Sequence, residues 1–126
     1  MSVKDLQKYV TMLLNRTKYI RKRLSSLMAE LEILSNDYPE NEDIEEILNI
    51  IEELDSDLTK IDEALYSKQM QLTKFVSEPI VDEKVEEFEK ISDEVYILER
   101  KIDEIESYLD EIESDALTLS EELQES

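Results

Sequence analysis

Apolar residues near the start of the chain recur at alternating steps of three and four. Between residues 3 and 34 they fill the a and d positions of five consecutive heptads, and only Thr17 among these positions is polar. The stripe consists of Val3, Leu6, Val10, Leu13, Ile20, Leu24, Leu27, Leu31 and Leu34. Such a stripe is typical of a helix that packs lengthwise against other helices, so we expect a first helix over about residues 3–35.

The stripe is first interrupted by the segment SNDYPEN, residues 35–41, which contains signals for the start of a helix. Asp37 is followed three residues later by Glu40, as in a capping box. Pro39 lies between them, where the first turn of a helix tolerates the missing N–H. A second helix is therefore predicted over about residues 38–76.

The second interruption, VSEPIVD at residues 76–82, repeats this arrangement. Ser77 is a candidate cap, and Pro79 falls just inside the helix that would follow. The apolar steps then continue almost to the end of the sequence. We expect a third helix over about residues 79–123.

The composition leaves little room for any other fold class. The chain has no glycine and two prolines in 126 residues, so tight turns are scarce, while 40% hydrophobic residues argue against disorder. Short connections between long helices favour antiparallel neighbours. We predict an all-α fold in which residues 1–126 form one antiparallel, up-down-up coiled-coil bundle. The alternative is an extended, kinked coiled coil that pairs with another chain.

The same composition argues against catalysis. Phosphate-binding loops need glycine, and the chain also lacks cysteine, histidine and tryptophan. Zinc sites of the usual kind, cysteine nucleophiles and histidine general bases are therefore excluded. We expect a protein that is not an enzyme and that has no cofactor and no metal site.

The third predicted helix has a narrower apolar stripe than the other two. Its e and g positions beyond Glu99 are polar or charged except for Tyr108, which leaves a bare a/d seam. Because it is also the longest helix, we expect its end to extend about two turns beyond the others and to pair with a helix of another chain. The residues predicted to form this interface are Ile102, Ile105, Leu109, Ile112, Leu119 and Leu123.

Charge is distributed unevenly along this chain of net charge −20. Residues 1–38 hold seven basic and four acidic residues, a net of +3, and residues 39–79 hold three basic and twelve acidic, a net of −9. Residues 80–126 hold four basic and eighteen acidic, a net of −14. Opposite charge favours folding the first helix back onto the others.

Five basic residues are concentrated in NRTKYIRKRL, residues 15–24. Arg16 and Arg23 are g positions and Arg21 is an e position, so all three flank the seam, where interhelical ion pairs form. In an antiparallel pair that turns near residues 36–40, they would face about residues 53–60, which include Asp55 and Asp57. We predict that the three arginines pair with this acidic window of the second helix.

Lys18 and Lys22 fall at b and f positions, which point away from the seam. Together with the arginines they also suit an acidic protein partner, an anionic lipid surface or nucleic acid. The strongly negative surroundings repel phosphate, which argues against nucleic acid as a partner and limits membrane contact to the periphery.

Lys68 occupies a d position of the second stripe and is the one charged residue there. Several interpretations remain open from sequence. The side chain extends past the apolar surface to reach solvent near a helix end, or the bundle widens locally there. Alternatively, it pairs with a carboxylate as a register device that fixes partner choice at some cost in stability.

The segment YVTMLLN, from Tyr9 to Asn15, is followed by RTKYI and LMAELEIL. It resembles the helical segment of the snapin family, small coiled-coil subunits of complexes that build lysosome-related organelles and position lysosomes. The resemblance covers less than a quarter of the chain and lies at its start, whereas the family has this segment toward its C-terminus. It implies vesicle or organelle scaffolding, and no residue roles are transferred from it.

The sequence as a whole predicts a scaffold subunit that assembles with other coiled-coil chains as a hetero-oligomer or homodimer. Membrane trafficking and organelle biogenesis are the expected settings, with a kinetochore or microtubule-attachment complex as an alternative. A self-contained bundle that binds a partner helix as an adaptor is the other candidate. No apolar run is long enough for a membrane span and the N-terminal residues lack the apolar core of a signal peptide, so we expect an intracellular, cytoplasmic protein.

Overall fold

The computed structural model describes residues 2–76 and 82–125, and it is built from three long helices. They are α1 (Val3–Asp37), α2 (Glu42–Val76) and α3 (Asp82–Glu125). The described residues contain no strand, and every helix contacts both of the others. The predicted all-α, three-helix bundle is confirmed.

The first helix begins at a capping box. The Ser2 hydroxyl accepts a hydrogen bond from the Asp5 backbone N–H at 3.1 Å, and the Asp5 carboxylate accepts one from the Ser2 N–H at 3.4 Å. These contacts use backbone donors that the first turn of a helix leaves without partners. Hydrogen bonding to Ser2, foremost through its side chain, lowers the pKa of Asp5.

The connection between α1 and α2 differs from the sequence prediction. Helix α1 continues to Asp37, and α2 begins at Glu42 rather than at residue 38. The side chain of Asn41 accepts a hydrogen bond from the Ile44 N–H at 3.1 Å and so caps α2. The predicted capping box of Asp37 and Glu40 is wrong, because Asp37 still lies within α1. The prediction for the other connection, with Ser77 as cap and Pro79 in the first turn, lies outside the described residues.

Contacts between side chains establish the directions of the helices. Gln69 of α2 donates to the Gln7 carbonyl of α1 near one end of the bundle, while residues 21 and 55 pair further along, so α1 and α2 are antiparallel. Lys68 and Phe75 of α2 meet Glu94 and Phe88 of α3, which makes that pair antiparallel as well. The predicted up-down-up order is therefore present.

As a consequence of this order, α1 and α3 run parallel. Tyr9 packs against Tyr96 with ring centroids 5.7 Å apart, and the Tyr38 hydroxyl donates to the Leu123 carbonyl at 3.0 Å. The C-terminal ends of α1 and α3 consequently lie at the end of the bundle where α1 connects to α2.

The core consists of the predicted a and d residues of all three helices. On α1 and α2 these side chains are almost all buried, and Thr17 is the one buried polar residue in the described part of the chain. Burying each Leu or Ile side chain contributes about 1.5–3 kcal/mol relative to exposure, so the stripes supply the main stabilisation of the bundle. Within the described residues, no helix combines the length and apolar character needed to cross a membrane.

The expectation for the end of α3 needs correction. Ile102, Ile105, Leu109 and Ile112 are buried within the bundle, and Leu119 and Leu123 pack partly buried against the same core. The end of α3 does not extend beyond the other helices, because the Tyr38 contact places it beside the α1–α2 connection. The extra length of α3 lies at its other end, where Phe88 packs beside Phe75 of α2.

Candidate functional site: the flank between α1 and α3

Arg21 is the member of the basic cluster that reaches α2. Its guanidinium lies 3.0 Å from an Asp55 carboxylate oxygen and 2.8 Å from an Asp62 carboxylate oxygen. Asp55 belongs to the acidic window predicted for it, and Asp62 borders that window. Arg21 therefore bridges two carboxylates that lie one heptad apart on α2.

Arg16 and Arg23 do not contact α2, and the prediction that all three arginines face its acidic window is wrong for these two. The Arg16 guanidinium lies 2.8 Å from Asp103 and 3.6 Å from Glu106, both on α3. The Arg23 guanidinium lies 2.6 Å from Asp110 and also pairs with Glu113. The hydrogen bond to Asp110 is the main cause of a raised pKa for Arg23.

The reason for this division lies in the heptad positions. The e and g positions flank an apolar stripe on opposite sides, and in a three-helix bundle each side meets a different neighbour. Arg21, at e, lies on the side of α2, whereas Arg16 and Arg23, at g, lie on the side of α3. The sequence prediction considered only the neighbour that follows α1 in the chain.

Contacts along the α1–α3 flank repeat every seven residues. Arg16 and Arg23 each bind a carboxylate 87 positions later in the chain, and each also approaches the glutamate three residues beyond it. The aromatic pair of Tyr9 and Tyr96 lies one heptad before Arg16 at the same spacing. We call this part, residues 9–23 with 96–113, the upper flank.

The repeat stops at the next heptad. The equivalent position on α1 is Glu30, and the equivalent positions on α3 are Leu117 and Ser120. One heptad later, Asp37 corresponds to Gln124. None of these residues makes a side-chain ion pair within residues 2–76 and 82–125.

An open groove of about 570 Å³ occupies this part of the flank. We call it the lower groove; it lies beside residues 30–37 of α1 and 117–124 of α3, and Tyr19, Lys22 and Arg23 line its upper end. Its apolar lining includes buried Leu27, Leu31 and Ala116 and half-buried Leu34. Ile33 and Leu117 also line it, and they are 65% and 62% exposed.

The lower groove is acidic on its α1 side. Glu30 and Asp37 are exposed there and point along the same side of α1 as the two arginines. Helices α1 and α3 both end beside the groove, and neither carries a basic residue in its last turn. The partial negative charge of two helix C-termini therefore adds to the charge of the carboxylates.

Lys18 and Lys22 lie on the outer surface of α1, as their heptad positions predicted. Both are exposed, and neither makes an ion pair with any other described residue. Lys22 lies at the upper end of the lower groove, near Tyr19. The two lysines are the members of the basic cluster whose charge remains available to another molecule.

Lys68 pairs with a carboxylate across the α2–α3 boundary. Its ammonium group contacts the Glu94 carboxylate and lies 3.4 Å from the side-chain oxygen of Gln71. The Lys68 side chain is only 15% exposed. Of the interpretations open from sequence, the pairing with a carboxylate is the one present, and it joins α2 to α3.

Sequence reasoning missed a polar contact inside the α1–α2 boundary. The Thr17 hydroxyl is buried, donates to the Asp62 carboxylate at 2.5 Å and lies 2.8 Å from the Leu14 carbonyl oxygen. Asp62 also receives Arg21, so one carboxylate joins the polar a position to the e-position arginine. The interruption of the stripe at Thr17 was the signal that could have indicated it.

The polar side chains of the described residues are paired within the bundle where they are buried. The described residues contain no group of three or more acidic side chains that could hold a metal ion, and no buried side-chain nitrogen or oxygen without a hydrogen bond. Comparisons with protein-family models, with curated proteins and with solved structures found no match for the chain.

Proposed function

We propose that the chain is a non-enzymatic helical-bundle adaptor, which folds on its own and binds a helix of a partner protein. The observation that carries this proposal is the contrast between a core that is covered within one chain and a flank that is left open. Of the a and d residues of α3 that suggested an external partner, four are buried against α1 and α2, and Leu119 and Leu123 are partly buried against the same core. The lower groove instead exposes aliphatic side chains beside buried ones.

The absence of catalytic residue types supports the non-enzymatic part of the proposal. The chain has no histidine and no cysteine, and carboxylates alone account for most of its charge. General acid–base chemistry near neutral pH needs a group whose pKa is tuned toward that range. Hydrogen bonding lowers the pKa of Asp5 and raises the pKa of Arg23, so both pKa values move away from neutrality.

A second candidate function is the scaffold subunit that touches more than one other chain. It is favoured by exposed apolar side chains on the outer face of α2, far from the lower groove. Tyr66 and Met70, one helical turn apart, are 52% and 73% exposed. In this case the resemblance to the snapin family suggests membrane trafficking or organelle biogenesis as the setting, with a kinetochore or microtubule-attachment complex as the alternative.

Light scattering combined with thermal melting tests the adaptor proposal. We expect a monomer of 14.9 kDa that melts in one cooperative transition at a temperature independent of protein concentration. Copurification from the source cell should then recover a partner at a defined stoichiometry. An obligate dimer whose helicity is lost on dilution would contradict the adaptor and favour the subunit.

A further inference from the structure

The lower groove combines an apolar floor, exposed aliphatic rims and an acidic wall. We propose that it binds a basic amphipathic helix of a partner protein, in which leucine-like side chains enter the groove and arginine or lysine side chains pair with Glu30 and Asp37. This proposal rests on the proposed function as a helix-binding adaptor, and it adds the location of the site and the chemistry of the partner.

The dimensions of the groove suit a helix. The residues that line it on α1 extend from Tyr19 to Asp37. At a rise of 1.5 Å per residue this length is about 27 Å, whereas the lining on α3, from Glu113 to Gln124, spans about 17 Å, so both helices border a partner helix over about three turns. Ile33 and Leu117 flank the groove from opposite helices, so one apolar face of a partner would contact both.

The charges indicate which partner helix would fit. On the upper flank, arginines at g positions of α1 bind carboxylates of α3, with a period of seven residues. Glu30 and Asp37 continue that period with the opposite charge and have no basic group to pair with on α3. A partner helix with basic residues seven positions apart would supply the missing cations and continue the pairing.

A second copy of the same chain is a poor occupant of this groove. Each copy carries a net charge of −20, so two copies repel each other. The cationic segment 15–24 does not offset this repulsion, because Arg16, Arg21 and Arg23 are already paired within the chain.

The corresponding groove between α2 and α3 lacks the features of an apolar docking site. It is smaller, at about 380 Å³, and its walls carry acidic residues from both helices. The aliphatic side chains that line it, Ile47, Ile50, Ile112 and Leu119, are buried or half-buried and leave no exposed rim. The proposal therefore concerns the α1–α3 side alone.

A peptide titration tests the proposal directly. The probe is a fluorescent synthetic helix of 18 residues with leucine along one face and arginine flanking that face at seven-residue spacing. Two controls are a scrambled peptide of the same composition and a peptide with glutamate in place of arginine. We expect the basic amphipathic peptide to bind at least about tenfold more tightly than either control, measured by anisotropy. Equal binding of the scrambled peptide would show only charge attraction and would overturn the proposal.

Matched variants locate the binding site. The double variant Ile33→Asp with Leu117→Asp places charge on the two rims, and Tyr66→Asp with Met70→Asp makes the same change of charge on exposed residues of α2. We expect the first pair to weaken peptide binding at least about tenfold and the second less than about twofold. Circular dichroism establishes that both are folded. Equal losses for the two pairs would contradict a site in the lower groove.

Two double variants that replace carboxylates by amides test the charge contribution to binding without adding a charge to the groove. Glu30→Gln with Asp37→Asn removes the acidic wall, and Glu53→Gln with Asp57→Asn removes two exposed carboxylates from α2. The first pair should weaken binding of the basic peptide more strongly than the second, and the difference should shrink at high salt. The same loss for both pairs would contradict specific pairing at the groove.

Failure of this proposal can be distinguished from failure of the proposed function. If a copurifying partner binds equally well to the wild-type chain and to the Ile33→Asp, Leu117→Asp variant, the groove assignment is wrong while the adaptor function stands. If no partner binds the wild-type chain, the adaptor function itself fails. If sedimentation shows a dimer that this variant abolishes, the groove holds a second copy and the proposal of a basic partner is overturned.

Discussion

The upper flank and the lower groove are two halves of the same boundary between α1 and α3, and they carry different side chains at equivalent heptad positions. Both halves follow one seven-residue period on parallel helices. The upper flank is covered by an aromatic pair and two forked arginine contacts. The lower groove has acidic residues on α1 opposite aliphatic and uncharged residues on α3, and it stays open.

The comparison teaches that flank residues, more than the core stripe, decide where a helical bundle is available to a partner. Leu13 and Leu27 are both d residues, two heptads apart. Leu13 is fully buried beneath the upper flank, whereas Leu27 lines the lower groove and is 5% exposed. The same a/d stripe of α1 therefore underlies both a closed and an open surface.

The largest expected effect on the free energy of unfolding comes from truncating a core residue beneath the upper flank or beneath the lower groove. We expect Leu13→Ala to lower the free energy of unfolding by about 2–5 kcal/mol, since the surrounding side chains leave a cavity. Leu27→Ala should fall toward the lower end of that range, because solvent already reaches its surroundings through the groove. Denaturant unfolding of the two variants measures the difference. A larger loss for Leu27→Ala would contradict the distinction between the halves.

Reversing the arginines of the upper flank is expected to have the next largest effect. Arg16→Glu with Arg23→Glu should lower the free energy of unfolding by about 1 kcal/mol per arginine, near the upper end of the range for exposed ion pairs. Adding Asp103→Lys and Asp110→Lys should restore part of the loss, and thermal melting at low salt records both steps. The same reversal at exposed Lys18 and Lys22 is the control and should cost less.

Extending the upper-flank pattern into the groove should have a smaller effect on stability. The triple variant Glu30→Arg, Leu117→Asp, Ser120→Glu places an arginine opposite two carboxylates, as at Arg16 and Arg23. We expect a gain of about 0.2–1 kcal/mol, the usual range for one such pair. Denaturant unfolding measures the gain, and a loss of stability would show that the groove does not share the geometry of the upper flank.

The smallest effect is expected at the start of α1, beside the upper flank. The lowered pKa of Asp5 means that its carboxylate stabilises the fold fully above its ordinary pKa of 3.8, and that this contribution is lost as the pH falls through the lower folded value. Asp5→Asn should therefore melt slightly below the wild type at pH 7. The difference should disappear near pH 2, and one that persists unchanged there would contradict a role for the charged form.

The helices and their buried faces could be predicted from sequence, because heptad spacing reports directly on a shared core. The exact residues at which α1 ends and α2 begins were harder to predict from the sequence. Asp37 matched a capping pattern, yet Asn41 is the residue that caps α2, since α1 keeps its backbone hydrogen bonds as far as Tyr38. Short polar residues near a proline offer several caps, and packing of the flanking helices selects one.

The lower groove could not be predicted from sequence for a different reason. The sequence pairs a heptad flank most simply with the next helix in the chain, whereas Arg16 and Arg23 contact α3, which lies one helix further on. The groove forms where Glu30 of α1 and Leu117 of α3, which are 87 positions apart in the chain, line the same opening. The change from arginine to glutamate at the g position is visible in the sequence. The α3 residues that lie opposite this position can be identified only from the three-helix arrangement.

The affinity of the basic amphipathic peptide for the triple variant Glu30→Arg, Leu117→Asp, Ser120→Glu tests most directly whether the lower groove is the binding surface. The variant keeps the core and adds the contacts that cover the upper flank. We expect at least about tenfold weaker binding than to the wild-type chain, with equal or higher thermal stability. Unchanged affinity in a folded variant would contradict the claim that the open half of the α1–α3 flank is the binding surface.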